Sequence, residues 1–177
     1  MGRRMDVSRK EKTVRTALCV ILAVLILLTM TVIFLFSSES REESGDRSHG
    51  VTRMVVRLLV RDYDELSADE QTALLEAYHL PIRKLGHLSE YALLAFLCGG
   101  FMHALGKGPY PVYWLIPAAF CLLYAISDEV HQIFSSRGAS PVDVCIDFVG
   151  AMLGLCIIHA AVGTARRIIV RREDRKA

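Results

Sequence analysis

Ala17 to Phe36 is a stretch of 20 residues without a single charge. At about 1.5 Å of rise per residue, a helix of that length reaches about 30 Å, one hydrocarbon core. Nothing constrains the chain more. Inside a bilayer every backbone polar group must find a partner within the protein, which leaves helices and closed barrels. Three further runs repeat the pattern, Leu85 to Leu105, Tyr110 to about Phe134, and Val142 to Ala165, with uncharged cores at Tyr91 to Gly106, Tyr110 to Ser127 and Phe148 to Ala165. The expected fold is an all-α integral membrane protein, a four-span transmembrane helix bundle. Because 53% of the 177 residues are apolar and gathered into runs, an ordinary soluble domain, a disordered chain and a secreted disulfide scaffold are excluded.

The first run is longer than the apolar core of a cleaved signal peptide, about 7 to 15 residues, and it ends in Phe34-Leu35-Phe36, so it is expected to remain as an anchor. Lys107-Gly108-Pro109 makes a turn short enough to force spans two and three into an antiparallel hairpin. Pro117 is expected to kink span three by losing the bond to the Tyr113 carbonyl. The five cysteines, Cys19, Cys98, Cys121, Cys145 and Cys156, all lie in apolar stretches without C-x-x-C spacing, and they read as small hydrophobes.

Orientation follows from Lys and Arg. Residues 1–16 hold Arg3, Arg4, Arg9, Lys10, Lys12 and Arg15, whereas Glu39, Glu42, Glu43 and Asp46 follow the first span. The amino terminus is therefore expected in the cytoplasm of a cell membrane protein. Four spans return the chain to that side, where residues 166–177 carry Arg166, Arg167, Arg171, Arg172, Arg175 and Lys176. Positive-inside topology accounts for this tail, and no nucleic-acid partner is implied.

Residues 37–84 form the outer-face segment between spans one (17–36) and two, ahead of a three-span core at 85–165. Arg53, Arg57 and Arg61 recur every fourth residue opposite Met54, Val55, Leu58 and Leu59. A helix there would be amphipathic, either lying on lipid headgroups or packed on the outer ends of the bundle. Ser67 with Glu70 fits a capping box that opens a short helix, Ala68 to His79, which Pro81 is expected to stop.

Ionisable residues occupy the ends of spans two, three and four, and parity brings those ends to one side. His87, Glu90, Asp128, Glu129, Asp143 and Asp147 thus converge at the outer leaflet. The spacing aligns them within each helix: His87 with Glu90 and Tyr91, Asp128 with Gln132, and Asp143 with Asp147. The last stripe continues through Gly150 and Gly154, so the acidic face of span four is also its close-packing face. A lone charge at mid-bilayer costs about 2.5 to 3.5 kcal/mol, less near the interface, so these acids need partners or water. Arg83, Lys84 and Arg137 are the cations in reach. His103 and His159, toward the other ends of their spans, read as packing residues, and His131 stays open because its face lies beyond that of Glu129.

Read in order, Arg83-Lys84-Leu85-Gly86-His87-Leu88-Ser89-Glu90-Tyr91, Ser127-Asp128-Glu129-Val130-His131-Gln132-Ile133-Phe134, Arg137 with Ser140, and Asp143 with Asp147-x-x-Gly150-Ala151-x-x-Gly154 resemble the VanZ-like family of small bacterial membrane proteins. The resemblance covers about Ser37 to Gly163. The chain departs from the pattern at Ser136, where Gly is expected, and at Asp147, where many relatives carry Asn. What the resemblance implies is a link to the glycopeptide teicoplanin, whose founding example is low-level resistance. That antibiotic carries a lipid tail and acts at the outer membrane face on lipid-linked wall precursors.

Three functional classes follow. In the first, the outer-leaflet cluster of Arg83, Lys84, His87, Glu90, Tyr91, Asp128, Glu129, Gln132, Arg137, Asp143 and Asp147 binds a membrane lipid headgroup, a lipid-linked cell-wall precursor or a lipidated antibiotic. In the second, His87, Glu90, Asp128 or Glu129 performs acid–base catalysis on a lipid-linked substrate. No cofactor is implied. There is no H-E-x-x-H, so a metal would require the fold to assemble ligands from different helices. The third is a proton-coupled carrier, for which four spans would call for a homo-oligomer.

Overall fold

The structure, a computed structural model, describes residues 2–38, 41–134 and 140–175. They form five α-helices, α1 (Gly2–Ser37), α2 (Arg41–Leu59), α3 (Ala68–Leu105), α4 (Val112–Phe134) and α5 (Pro141–Asp174), with a 3-10 turn at Tyr63–Glu65. No strand occurs among the described residues. Among the described residues, four stretches are long and apolar enough to cross a membrane: Lys10–Ser37, Ala68–Leu105, Val112–Phe134 and Pro141–Arg172. The chain is an all-α membrane bundle, as its apolar runs require.

The central interface is between α3 and α5, and glycine makes it. A Cβ placed on Gly150 would overlap the carbonyl oxygen of Leu88, and one on Gly154 would overlap that of Ala92. Two turns of α5 thus lie directly against the α3 backbone. Lipid tails are as apolar as leucine, so close packing replaces hydrophobic drive as the source of helix association. Tyr91, Leu94, Ala95, Ala151 and Leu155 fill the seam, and Cys121 and Ala125 bring α4 against it. On the other flank, Tyr124 of α4 donates its hydroxyl to the Met30 carbonyl of α1 at 2.7 Å.

Contacts at both ends agree with the alternating direction of the helices. Arg15, just before the uncharged run of α1, donates Nε to the Ala104 carbonyl in the last turn of α3 at 2.6 Å. At the opposite end, Ser38 meets His131 of α4. The α3–α4 turn uses Gly106 at φ 57° as the C-cap of α3 and Gly108 at φ 95°, backbone conformations in which a side chain would be strained. Pro117 is buried within α4, which runs on past it.

One expectation is overturned. Pro81 does not stop the helix begun at Ala68; α3 continues unbroken for 38 residues. The missing proline N–H removes one hydrogen bond, to the Ala77 carbonyl, and both sides of the break are held independently. Upstream, the capping box is present, with Ser67 N–H donating to Glu70 Oε2 at 2.9 Å and Glu70 N–H reaching Ser67 Oγ at 3.4 Å. Downstream, Gly150 and Gly154 clamp the helix onto α5. Since about 20 residues cross a bilayer, the Ala68–Lys84 part of α3 projects about 25 Å beyond it.

The amphipathic segment is helical and packs along this projection. Thr52 and Val56 are buried, His49 stacks on His79 with ring centroids 4.2 Å apart, and Gln71 Nε2 donates to the carbonyls of Tyr63 and Leu66 at 3.1 Å each. Met54 and Leu58 stay exposed on the outward face. All five cysteines are free, but only Cys98 and Cys121 are buried; Cys145 and Cys156 face outward.

Candidate functional site

The polar cluster lies where the projecting part of α3 enters the bundle, at the end remote from the chain termini. Arg83, Lys84, His87, Glu90 and Tyr91 lie on α3, Asp128, Glu129 and Gln132 on α4, and Asp143 and Asp147 on α5. Arg137, the remaining candidate, lies outside the described residues. Relative exposure falls to 5% at Asp143, 4% at Asp128, 3% at Glu129, 2% at Gln132, and 0% at Asp147 and Tyr91. Solvation at the helix ends therefore cannot account for the acids. Glu90 is half-buried at their edge.

Several acids have internal partners. Lys84 forms an ion pair with Asp143 and lies within electrostatic reach of Glu129 and Asp147. Gln132 Nε2 donates to Asp128 Oδ2 at 3.2 Å one helical turn away. Glu129 Oε2 accepts from the Ser140 backbone N–H at 2.7 Å, which ties α4 to the start of α5. His87 Nδ1 stands 3.7 Å from Asp147 Oδ1.

Other polar atoms in the same volume lack partners. Among the described residues, both carboxylate oxygens of Asp147, the Tyr91 hydroxyl, Glu129 Oε1 and Arg83 Nε are buried without a hydrogen-bond partner. Asp147 is within electrostatic reach of Asp128, Glu129, Glu90 and Lys84, and Tyr91 of Asp128 and Asp147. Buried polar atoms in folded proteins are nearly always satisfied, so these orphans have hydrogen-bonding capacity that the described residues do not fill. Among the described residues, no group of three or more His, Cys, Asp or Glu is arranged to hold a metal ion.

The blocks that form this site also decide the relationship of the chain to known proteins. The VanZ/LLP1 family pattern matches residues 22–162. The chain belongs to the VanZ/LLP1 family. The match begins within span one and ends within span four, takes in every candidate from Arg83 to Asp147, and leaves the basic ends outside. No curated protein and no solved structure matches the chain. This VanZ/LLP1 protein is accordingly a multi-pass membrane protein.

Histidines separate the cluster from its surroundings. His131 faces α1, stacking on Phe34 at 4.7 Å and sharing a 3.1 Å hydrogen bond with Ser38 Oγ, so it lies outside the acid cluster. His103 and His159 are not isolated packing residues. Their ring nitrogens meet at 2.8 Å across α3 and α5, with Tyr113 stacked on His103 and Trp114 4.1 Å from His159. The available sequence signal was parity, because spans two and four run in the same direction and both residues lie toward their C-terminal ends.

Proposed function

We propose that this VanZ/LLP1 protein binds a polar headgroup at the outer leaflet, as part of a membrane lipid, a lipid-linked cell-wall precursor or a lipidated glycopeptide such as teicoplanin. The observation that carries the reading is Asp147. Its two oxygens are fully buried and unsatisfied beside the unsatisfied Tyr91 hydroxyl. A buried carboxylate without donors is costly, and amine or sugar hydroxyl donors would relieve that cost. Arg83, Lys84 and Arg137 would meet the phosphate or carboxylate of the same headgroup. The outer-face assignment rests on the basic residues at both chain ends, which favour cytoplasmic termini. It is checked by reporter fusions at His49 and Lys107, which should report opposite sides.

Acid–base catalysis on a lipid-linked substrate is the second reading, favoured by the approach of His87 to Asp147. The test is a sensitivity panel. A gene deletion is complemented with wild type, Glu90→Gln, Asp128→Asn, Asp147→Asn and Arg137→Ala, and scored against teicoplanin, vancomycin and envelope stress. Loss of complementation by the variants supports the site, and full complementation by all four overturns it. Turnover of a lipid-linked substrate by purified protein, lost in Glu90→Gln, would select catalysis over binding.

A further inference from the structure

We infer that the end of the bundle nearest the chain termini carries a second binding site, for the phosphate headgroup of an anionic phospholipid, between α1 and the last turn of α3. A groove of about 580 Å³ opens there, with Val14 and Leu18 along one wall, His103 and Ala104 along the other, and Lys10 and Arg15 beside them. Its size falls in the range of small-molecule sites, about 300 to 1,000 Å³. Val14 and Leu18 are exposed apolar side chains. Arg15 lies two residues before the uncharged run begins, at the depth of the headgroups.

Arg15 is held in place. Its Nε donates to the Ala104 carbonyl, and the guanidinium lies over Gly106, where a side chain would crowd Nη2 at 3.0 Å. Gly106 therefore leaves room for the guanidinium above the C-terminus of α3. The bond to Ala104 uses Nε alone, and Nη1 and Nη2 form the charged fork that would take a phosphate. Lys10 lies one and a half turns further from the bilayer, and Arg166 of α5 lies within electrostatic reach of His103 on the opposite side. Among the described residues, the acid Glu11 also lines the groove. An apolar channel with cations at its polar end has the charge and shape of a phospholipid whose acyl chain runs along Val14 and Leu18.

The site is tested by native mass spectrometry of the full chain released from detergent, incubated with phosphatidylglycerol, phosphatidylcholine or inorganic phosphate. The expected result is retention of phosphatidylglycerol about fivefold or more over phosphatidylcholine, the scale of one basic residue near an anionic surface. Arg15→Gln should abolish the preference, and Lys10→Gln should reduce it. Because Arg15 also caps α3, Leu18→Trp provides an independent arm; it fills the groove with the cap intact and should lower retention of both lipids. Equal retention of the two lipids by wild type, or a preference that survives both Arg15→Gln and Leu18→Trp, overturns the site. Inorganic phosphate bound as firmly as phosphatidylglycerol overturns its assignment to a lipid.

Discussion

His87 Nδ1 lies 3.7 Å from Asp147 Oδ1, linking α3 to α5 beside a carboxylate that is otherwise unsatisfied. Asp147→Asn preserves the shape of that position and removes its charge. If donors on a headgroup meet this carboxylate, affinity should fall by about 10-fold or more, as expected for losing a hydrogen bond to a charged group. The measurement is thermal stabilisation of purified protein by phosphatidylethanolamine, lipid-linked wall precursor and teicoplanin. Identical stabilisation of wild type and Asp147→Asn by every compound would count against the site.

Glycines on the two long helices should respond oppositely to the same substitution. Gly150→Ala and Gly154→Ala drive a methyl into backbone carbonyls of α3, and each should cost about 1 to 3 kcal/mol or more. Gly86 and Gly163 have nothing within 4 Å of the corresponding point. Alanine there should be neutral or stabilise by up to about 1 kcal/mol through helix propensity. Melting temperatures of the four variants in one detergent provide the comparison, and a uniform response would contradict the close α3–α5 approach.

Lys84 and Asp143 form the ion pair at the mouth of the cluster, with Asp143 the more deeply buried. Lys84→Met strands that carboxylate and should destabilise the protein by about 3 to 5 kcal/mol, whereas Lys84→Met with Asp143→Leu should recover most of the loss. Denaturant titration of the single and double variants measures the coupling. Additive losses would show that the pair does not act as a unit.

The continuity of α3 makes Pro81 a cost within a helix. Pro81→Ala restores the hydrogen bond to the Ala77 carbonyl and should raise stability, by up to about 3 kcal/mol. Ser67→Ala should lower it by about 1 kcal/mol through loss of the cap. Thermal unfolding followed by circular dichroism decides both; no gain from Pro81→Ala would indicate that the helix already bends to accommodate the ring.

Local chemistry was legible in advance. The Ser67–Glu70 box spans one turn, and the Asp143, Asp147, Gly150 and Gly154 stripe belongs to one helix, so each could be read without knowing its neighbours. The convergence of His87, Glu90, Asp128 and Asp147 needed only a count of crossings. The His103–His159 pair required knowing which helices touch and in what register, information that no local window of either helix contains. Likewise, the arginine row of α2 was apparent, but that Thr52 and Val56 would turn inward and leave Met54 and Leu58 outside was not.

The sequence by itself determined four crossings, their alternating direction and the end at which the acids gather, because hydrocarbon thickness and backbone satisfaction act on each segment separately. Tertiary structure alone decided that α3 runs through Pro81, that α5 seats its glycines on the carbonyls of Leu88 and Ala92, and that Lys84 meets Asp143 while Asp147 is left unsatisfied. Those outcomes depend on the register of one helix against another. Register is a property of paired surfaces, and it appears only when the helices pack.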